Sequence, residues 1–115
     1  MSGTLSAAAQ SFVARYSGSP KLVAEQAGWN LTIALTTTDT VESVAVRVAD
    51  GHVVEVGSGR SDAALEVLAD AATLVDVLEL RRSANEAYLF GELVVRGREA
   101  DFVRLDYVAS ALCLP

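Results

Sequence analysis

At Gly28 the spacing of apolar residues changes from helical to alternating, and this switch restricts the chain more than any motif in it. Before it, Leu5, Ala8, Ala9, Phe12, Val13 and Tyr16 recur at three- and four-residue intervals, the stripe of an amphipathic helix running to Gly18. Ser19 and Pro20 supply an N-cap and a first helical residue for a second helix, "PKLVAEQAG", which Gly28 ends. After it, Trp29, Leu31, Ile33 and Leu35 alternate with Asn30, Thr32, Ala34 and Thr36, as in a strand with one buried face.

The strand pattern continues. "TTDTVES" reads as a turn and "VAVRVADGHVVEV" as a hairpin around Asp50-Gly51. A two-residue turn would pair Ala49 with His52 and put Val54 and Val56 on the face of Ala45 and Arg47. A three-residue loop with Gly51 left-handed puts Val54 and Val56 beside Val44 and Val46, and turns His52 toward that face opposite Val48. The second register is expected here, because it gathers the valines on one side. "AALEVLA" gives a fourth strand with Leu65 and Val67 on one face, and Asp70 caps a helix over "ATLVDVLEL". The run Tyr88, Leu89, Phe90 leads through Gly91 into a fifth strand, "ELVVRG", with Leu93 and Val95 facing the core. Phe102, Leu105, Ala109 and Leu112 form the stripe of a closing helix. The expected fold is α+β, a five-stranded mostly antiparallel sheet covered on one face by helices, in a single domain over residues 1–115.

Composition narrows the function classes. With 115 residues, 51% of them hydrophobic, the chain can fill one core but not two. A net charge of -6 lacks the basic footprint of a nucleic-acid binder or of a protein held on an anionic membrane. Cys113 is the only cysteine, which excludes an intrachain disulfide and a cysteine metal cluster and makes a small apolar helix residue its expected role. The start "MSGTLSAAAQSF" lacks the pattern of a secretory leader, so a cytoplasmic location is expected. No "HExxH", nucleophile elbow or His/Cys cluster is present, and no metal or cofactor is expected. "GSGR" at 57–60 lacks the lysine of a phosphate loop and reads as a plain loop, as do Ser58 and Ser61.

In this order the words "SPKLVAEQAGWNLTIAL", "VADGHVVEVGSG", "DAALEVLADAATLVDVLE" and "AYLFGELVVRG" resemble the sterol carrier protein type 2 domain, from the first helix to Leu112. Two places depart from that family's pattern. Arg98 stands where an acidic residue usually follows the glycine closing the fifth strand, and Leu80, Arg81 and Arg82 stand where a glycine usually ends the preceding helix. "LCLP" is not a peroxisomal signal. The resemblance implies a stand-alone domain of bacterial type with an apolar cavity between sheet and helices. It would hold a fatty acid, acyl-CoA, sterol or related lipid without altering it.

On that implication the ligand-facing candidates are Trp29, Ile33, Val46, Val54, Tyr88, Phe102, Leu105 and Tyr107, with Arg96, Arg98 and Arg104 as headgroup candidates. Ordinary core packing is the competing role for each aromatic residue, and a solvated face for the arginines. The expected partner is a hydrophobic small molecule or lipid, with transient contact to a membrane or enzyme and a homodimer left open. Two rival functions remain. One is an enzyme or pathway accessory that holds or cyclises a polyketide or terpenoid intermediate, with His52, Tyr88 and Tyr107 as acid/base groups. The other is a dimerising scaffold whose cavity is filled.

Overall fold

A computed structural model describes residues 4–58 and 62–113. Two helices, α1 (Thr4–Ser17) and α2 (Pro20–Glu25), precede strands β1 (Leu31–Thr37), β2 (Ser43–Ala49), β3 (His52–Ser58) and β4 (Leu65–Ala69). Helices α3 (Ala71–Leu78) and α4 (Ala84–Leu89), strand β5 (Leu93–Gly97) and helix α5 (Glu99–Cys113) follow. The sheet order is β3-β2-β1-β4-β5, antiparallel except for the parallel pair β1 and β4.

The inward face follows from alternation. Ile33 and Leu35 of β1, Val44, Val46 and Val48 of β2, Leu65 and Val67 of β4 and Leu93 of β5 are buried together with Leu5, Ala8 and Ala9 of α1 and Leu74, Val77 and Leu78 of α3. The two alanines of α1 let that helix approach the sheet closely. Trp29 is buried on the same side although the strand starts at Leu31, two residues later than the alternation implies.

Helix ends explain where the elements stop. Asp70 accepts a hydrogen bond from the Thr73 backbone N–H at 2.7 Å, the expected N-cap. Ser19 occupies its N-cap position but its side chain caps nothing. Helix α3 closes in a Schellman turn, with Arg81 N–H donating to the Asp76 carbonyl and Leu80 N–H to the Val77 carbonyl. Leu80 holds φ +65° there, so the turn forms without the glycine usual at such a position.

Three expectations need correction. The hairpin turn has two residues, with Asp50 at φ 50° and Gly51 at φ 81°, as a type I′ Asp-Gly turn requires, and Ala49 pairs with His52. A bulge then intervenes: Val48 pairs with Val53 and Arg47 with Glu55, which leaves Val54 over and restores Val46 opposite Val56. Val53 therefore packs on the core in place of Val54, which is 56% exposed, and His52 is exposed instead of facing Val48. The second correction is α4, which apolar periodicity does not announce although Ser83 and Glu86 carry its N-terminal signal; Ser83 Oγ accepts from the Glu86 N–H at 3.2 Å. Thirdly, Gly57 and Ser58 belong to β3, while Gly59, Arg60 and Ser61 lie outside the described residues.

Candidate functional site

Between the inward face of the sheet and α1, α3 and α5 lies an apolar cavity of about 70 Å³. Every residue lining it is apolar or aromatic. Ile33, Val46 and Val67 form its floor from the sheet. Phe12, Val13 and Tyr16 of α1, Leu74 and Val77 of α3 and Phe102, Leu105 and Val108 of α5 form its walls. Their arrangement follows from the stripe of each helix meeting the buried side of the sheet. The α1 and α3 residues are not among the candidates that the sequence offers, although both stripes are visible there; pairing a stripe with a cavity needs the tertiary arrangement.

The ligand-facing candidates separate into three groups. Trp29, Ile33, Val46, Phe102 and Leu105 line the cavity. Val54 faces solvent because of the bulge. Tyr88 and Tyr107, 46% and 49% exposed, stand outside the cavity. Tyr88 packs against Phe102 in a tilted pair, with ring centroids 5.3 Å apart. Tyr107 donates its hydroxyl hydrogen bond to Glu25 Oε1 at 2.9 Å, tying α5 to α2.

The arginines separate as well. Arg96 projects from the sheet face opposite the cavity, 3.7 Å from the Glu66 carboxylate. Arg98 is exposed at the start of α5. Arg104 lies beside the cavity wall, its guanidinium 5.6 Å from the Trp29 ring centroid, while Trp29 Nε1 donates to Asp101 Oδ1 at 3.2 Å. Together these two contacts fix the indole at the seam between β1 and α5.

Two tyrosines have raised pKa values for different reasons. Burial pushes the Tyr16 phenol up, the nearby Arg104 charge opposing it, and the hydroxyl donates to the Gly51 carbonyl. For Tyr107 the hydrogen bond to Glu25 is the leading cause, with the Glu25 charge adding to it. Both phenols therefore stay protonated at neutral pH, which suits hydrogen-bond donors better than proton acceptors. His52, Tyr88 and Tyr107 are not brought to one site: His52 is exposed at the hairpin, and the tyrosines lie on different grooves beside α5. Cys113 is exposed and its thiol donates to the Leu80 carbonyl at 3.4 Å, so it does not pack as a core residue. Among the described residues no His, Cys, Asp and Glu group could hold a metal, and no helix is long and apolar enough to cross a membrane.

No family model matches the sequence, and no curated protein is detectably similar to it. Solved structures are. A conserved hypothetical protein from Thermus thermophilus is 22% identical with a TM-score of 0.73, over 93% of this chain and 82% of that one. A sterol carrier protein 2 is 18% identical with a TM-score of 0.71, over 93% and 94% of the two chains. A palmitated sterol carrier protein 2-like protein from Aedes aegypti is 15% identical with a TM-score of 0.68, over 94% and 93%. Identities this low speak to architecture, and the agreement over nearly the whole length of each shows that this chain has the sterol carrier protein 2 fold.

Proposed function

We propose that the protein binds a long apolar molecule in the interior cavity and carries it without altering it. The observation that carries this reading is a space between the sheet and the helices whose lining residues are all apolar or aromatic. A core of this composition could pack shut, since leaving space forfeits dispersion contacts on every facing side chain. A solved structure of the same fold bears palmitate, which adds support.

At about 70 Å³ the cavity is smaller than the roughly 300 Å³ at which small-molecule sites begin, so a ligand must displace part of the wall. Helix α5 is the wall best suited to move. It buries only Phe102, Val108 and Ala109 and leaves Val103 and Tyr107 exposed. Ten methylenes leaving water contribute roughly 8 kcal/mol, enough to offset a partial opening of this helix. A cytoplasmic carrier of this kind would hand its cargo over in a transient contact with a membrane or an enzyme.

Native mass spectrometry of the purified protein, followed by organic extraction, tests the reading. A co-purified lipid supports it; a bound polyketide or terpenoid would favour the pathway-accessory role, and an empty dimer the scaffold. Leu105→Trp fills the cavity without adding charge and should abolish fatty-acid binding while circular dichroism stays unchanged. A folded Leu105→Trp protein that binds as tightly as before would show that the ligand site is elsewhere.

A further inference from the structure

The interior and the surface meet at one side chain. Phe102 lines the apolar cavity and also lines a second space of about 410 Å³, a groove between α4, β5 and α5. On the groove side Tyr88 covers it, the two rings inclined at 50°. The cavity alone falls short of the roughly 300 Å³ at which small-molecule sites begin, whereas the groove, at about 410 Å³, exceeds it, and the two spaces share Phe102. Phe102 borders both spaces, so turning it to another staggered position would bring them into contact. The element behind Tyr88 offers little resistance, because α4 is six residues long and its buried side chains are only Ala84 and Ala87. Those two small side chains bury little area.

The charge of the groove selects among amphipathic ligands. Its charged lining residues are Glu99 and Asp106, and Asp106 Oδ1 accepts the Asn85 backbone N–H at 3.1 Å. No lysine or arginine lines it; Arg98 lies between Gly97 and Glu99 in sequence but is exposed and outside the lining. The Asn85 side chain and the Tyr88 hydroxyl offer hydrogen bonds of both kinds. A carboxylate brought here would meet two acids, and a hydroxyl would meet donors and acceptors.

Building on the carrier reading, we propose that this groove is the ligand's entrance and outer subsite. Phe102 and Tyr88 form its gate, and the subsite receives an uncharged, hydroxyl-bearing headgroup in preference to an anionic one.

Stopped-flow displacement of a fluorescent lipid probe by dodecanol and by dodecanoate, on the intact chain, tests both parts. Tyr88→Ala removes a half-exposed ring, and circular dichroism checks that the fold is kept; dodecanol exchange should accelerate about two- to ten-fold. Tyr88→Phe keeps the ring against Phe102 and should leave dodecanoate exchange near the wild-type rate, while dodecanol, which loses a hydrogen-bonding partner, should bind about two- to ten-fold more weakly. Glu99→Gln combined with Asp106→Asn should tighten dodecanoate about two- to five-fold and leave dodecanol unaffected. Wild-type exchange rates in a folded Tyr88→Ala protein would overturn the gate. Dodecanoate binding tighter than dodecanol, and weakened by Arg98→Gln, would overturn the headgroup assignment. If the wild-type protein binds neither compound, the carrier reading falls and takes this proposal with it; binding of both with no response to these variants would remove the groove alone.

Discussion

Gly51 sits where three segments converge. Its N–H donates to the Trp29 carbonyl at 3.0 Å and its carbonyl accepts the Tyr16 hydroxyl. A Cβ there would lie 2.7 Å from the Gln26 carbonyl oxygen, and the backbone is left-handed at φ +81°. Asp50 beside it receives the Gly28 N–H on Oδ1 at 2.7 Å and donates its own N–H to Asn30 Oδ1 at 2.8 Å. Gly51→Ala should therefore cost at least about 1 to 3 kcal/mol, read as a lowered denaturant midpoint. Asp70 is a second residue with a local task. Hydrogen bonding from Thr73, its side chain foremost and its backbone N–H next, holds the Asp70 carboxyl below its ordinary pKa. A lowered folded pKa means that the carboxylate's contribution is complete above the unfolded value and is lost as pH falls through the folded one. Asp70→Ala should cost about 1 kcal/mol near neutrality, and the difference from wild type should shrink in acid unfolding below the carboxylate range.

At the scale of elements, β3 shows how two local rules compete. Asp-Gly favours a two-residue turn, and burial favours the valines inward. The chain satisfies both by inserting a bulge three residues after the turn, so that the tip obeys turn chemistry and Val56 still reaches Val46. Applying one rule to the whole hairpin puts the wrong valine inside. The consequence is measurable: Val53→Asn should lower stability by about 1 to 3 kcal/mol, since it places an amide against the core, whereas Val54→Thr should stay within about 0.5 kcal/mol of wild type in urea denaturation. Helix α4 illustrates a different difficulty. Its six residues span less than two turns and end at Gly91 in a second Schellman turn, Glu92 N–H to the Ala87 carbonyl. Such a helix buries too little to write a stripe, and only its cap residues announce it. The longer elements α1, α3 and α5 and the strands β1, β4 and β5 were legible because each repeats its apolar period.

For the whole molecule, the prediction is thermodynamic: a ligand bound only by the folded state at one hundred times its Kd should add about 2.7 kcal/mol of stability, seen as a raised and concentration-dependent melting temperature with a long-chain ligand. Trp29 fluorescence should change in the same titration, because the indole lines the cavity and is held by Asp101 and Arg104. Absence of both responses would count against the interior site. Periodicity, caps and turn residues by themselves determined the order of the elements other than α4, the buried side of most strands and the helix stripes, because these depend on interactions within a few residues of chain. The tertiary structure decided the rest. It made β1 and β4 parallel neighbours, drew Phe12, Tyr16, Leu74 and Val108 to one cavity, left Tyr88 and Tyr107 outside it, and sent Arg96 to the opposite face. A residue's period states which way it points relative to its own element; what it meets depends on how that element packs against others far away in the chain.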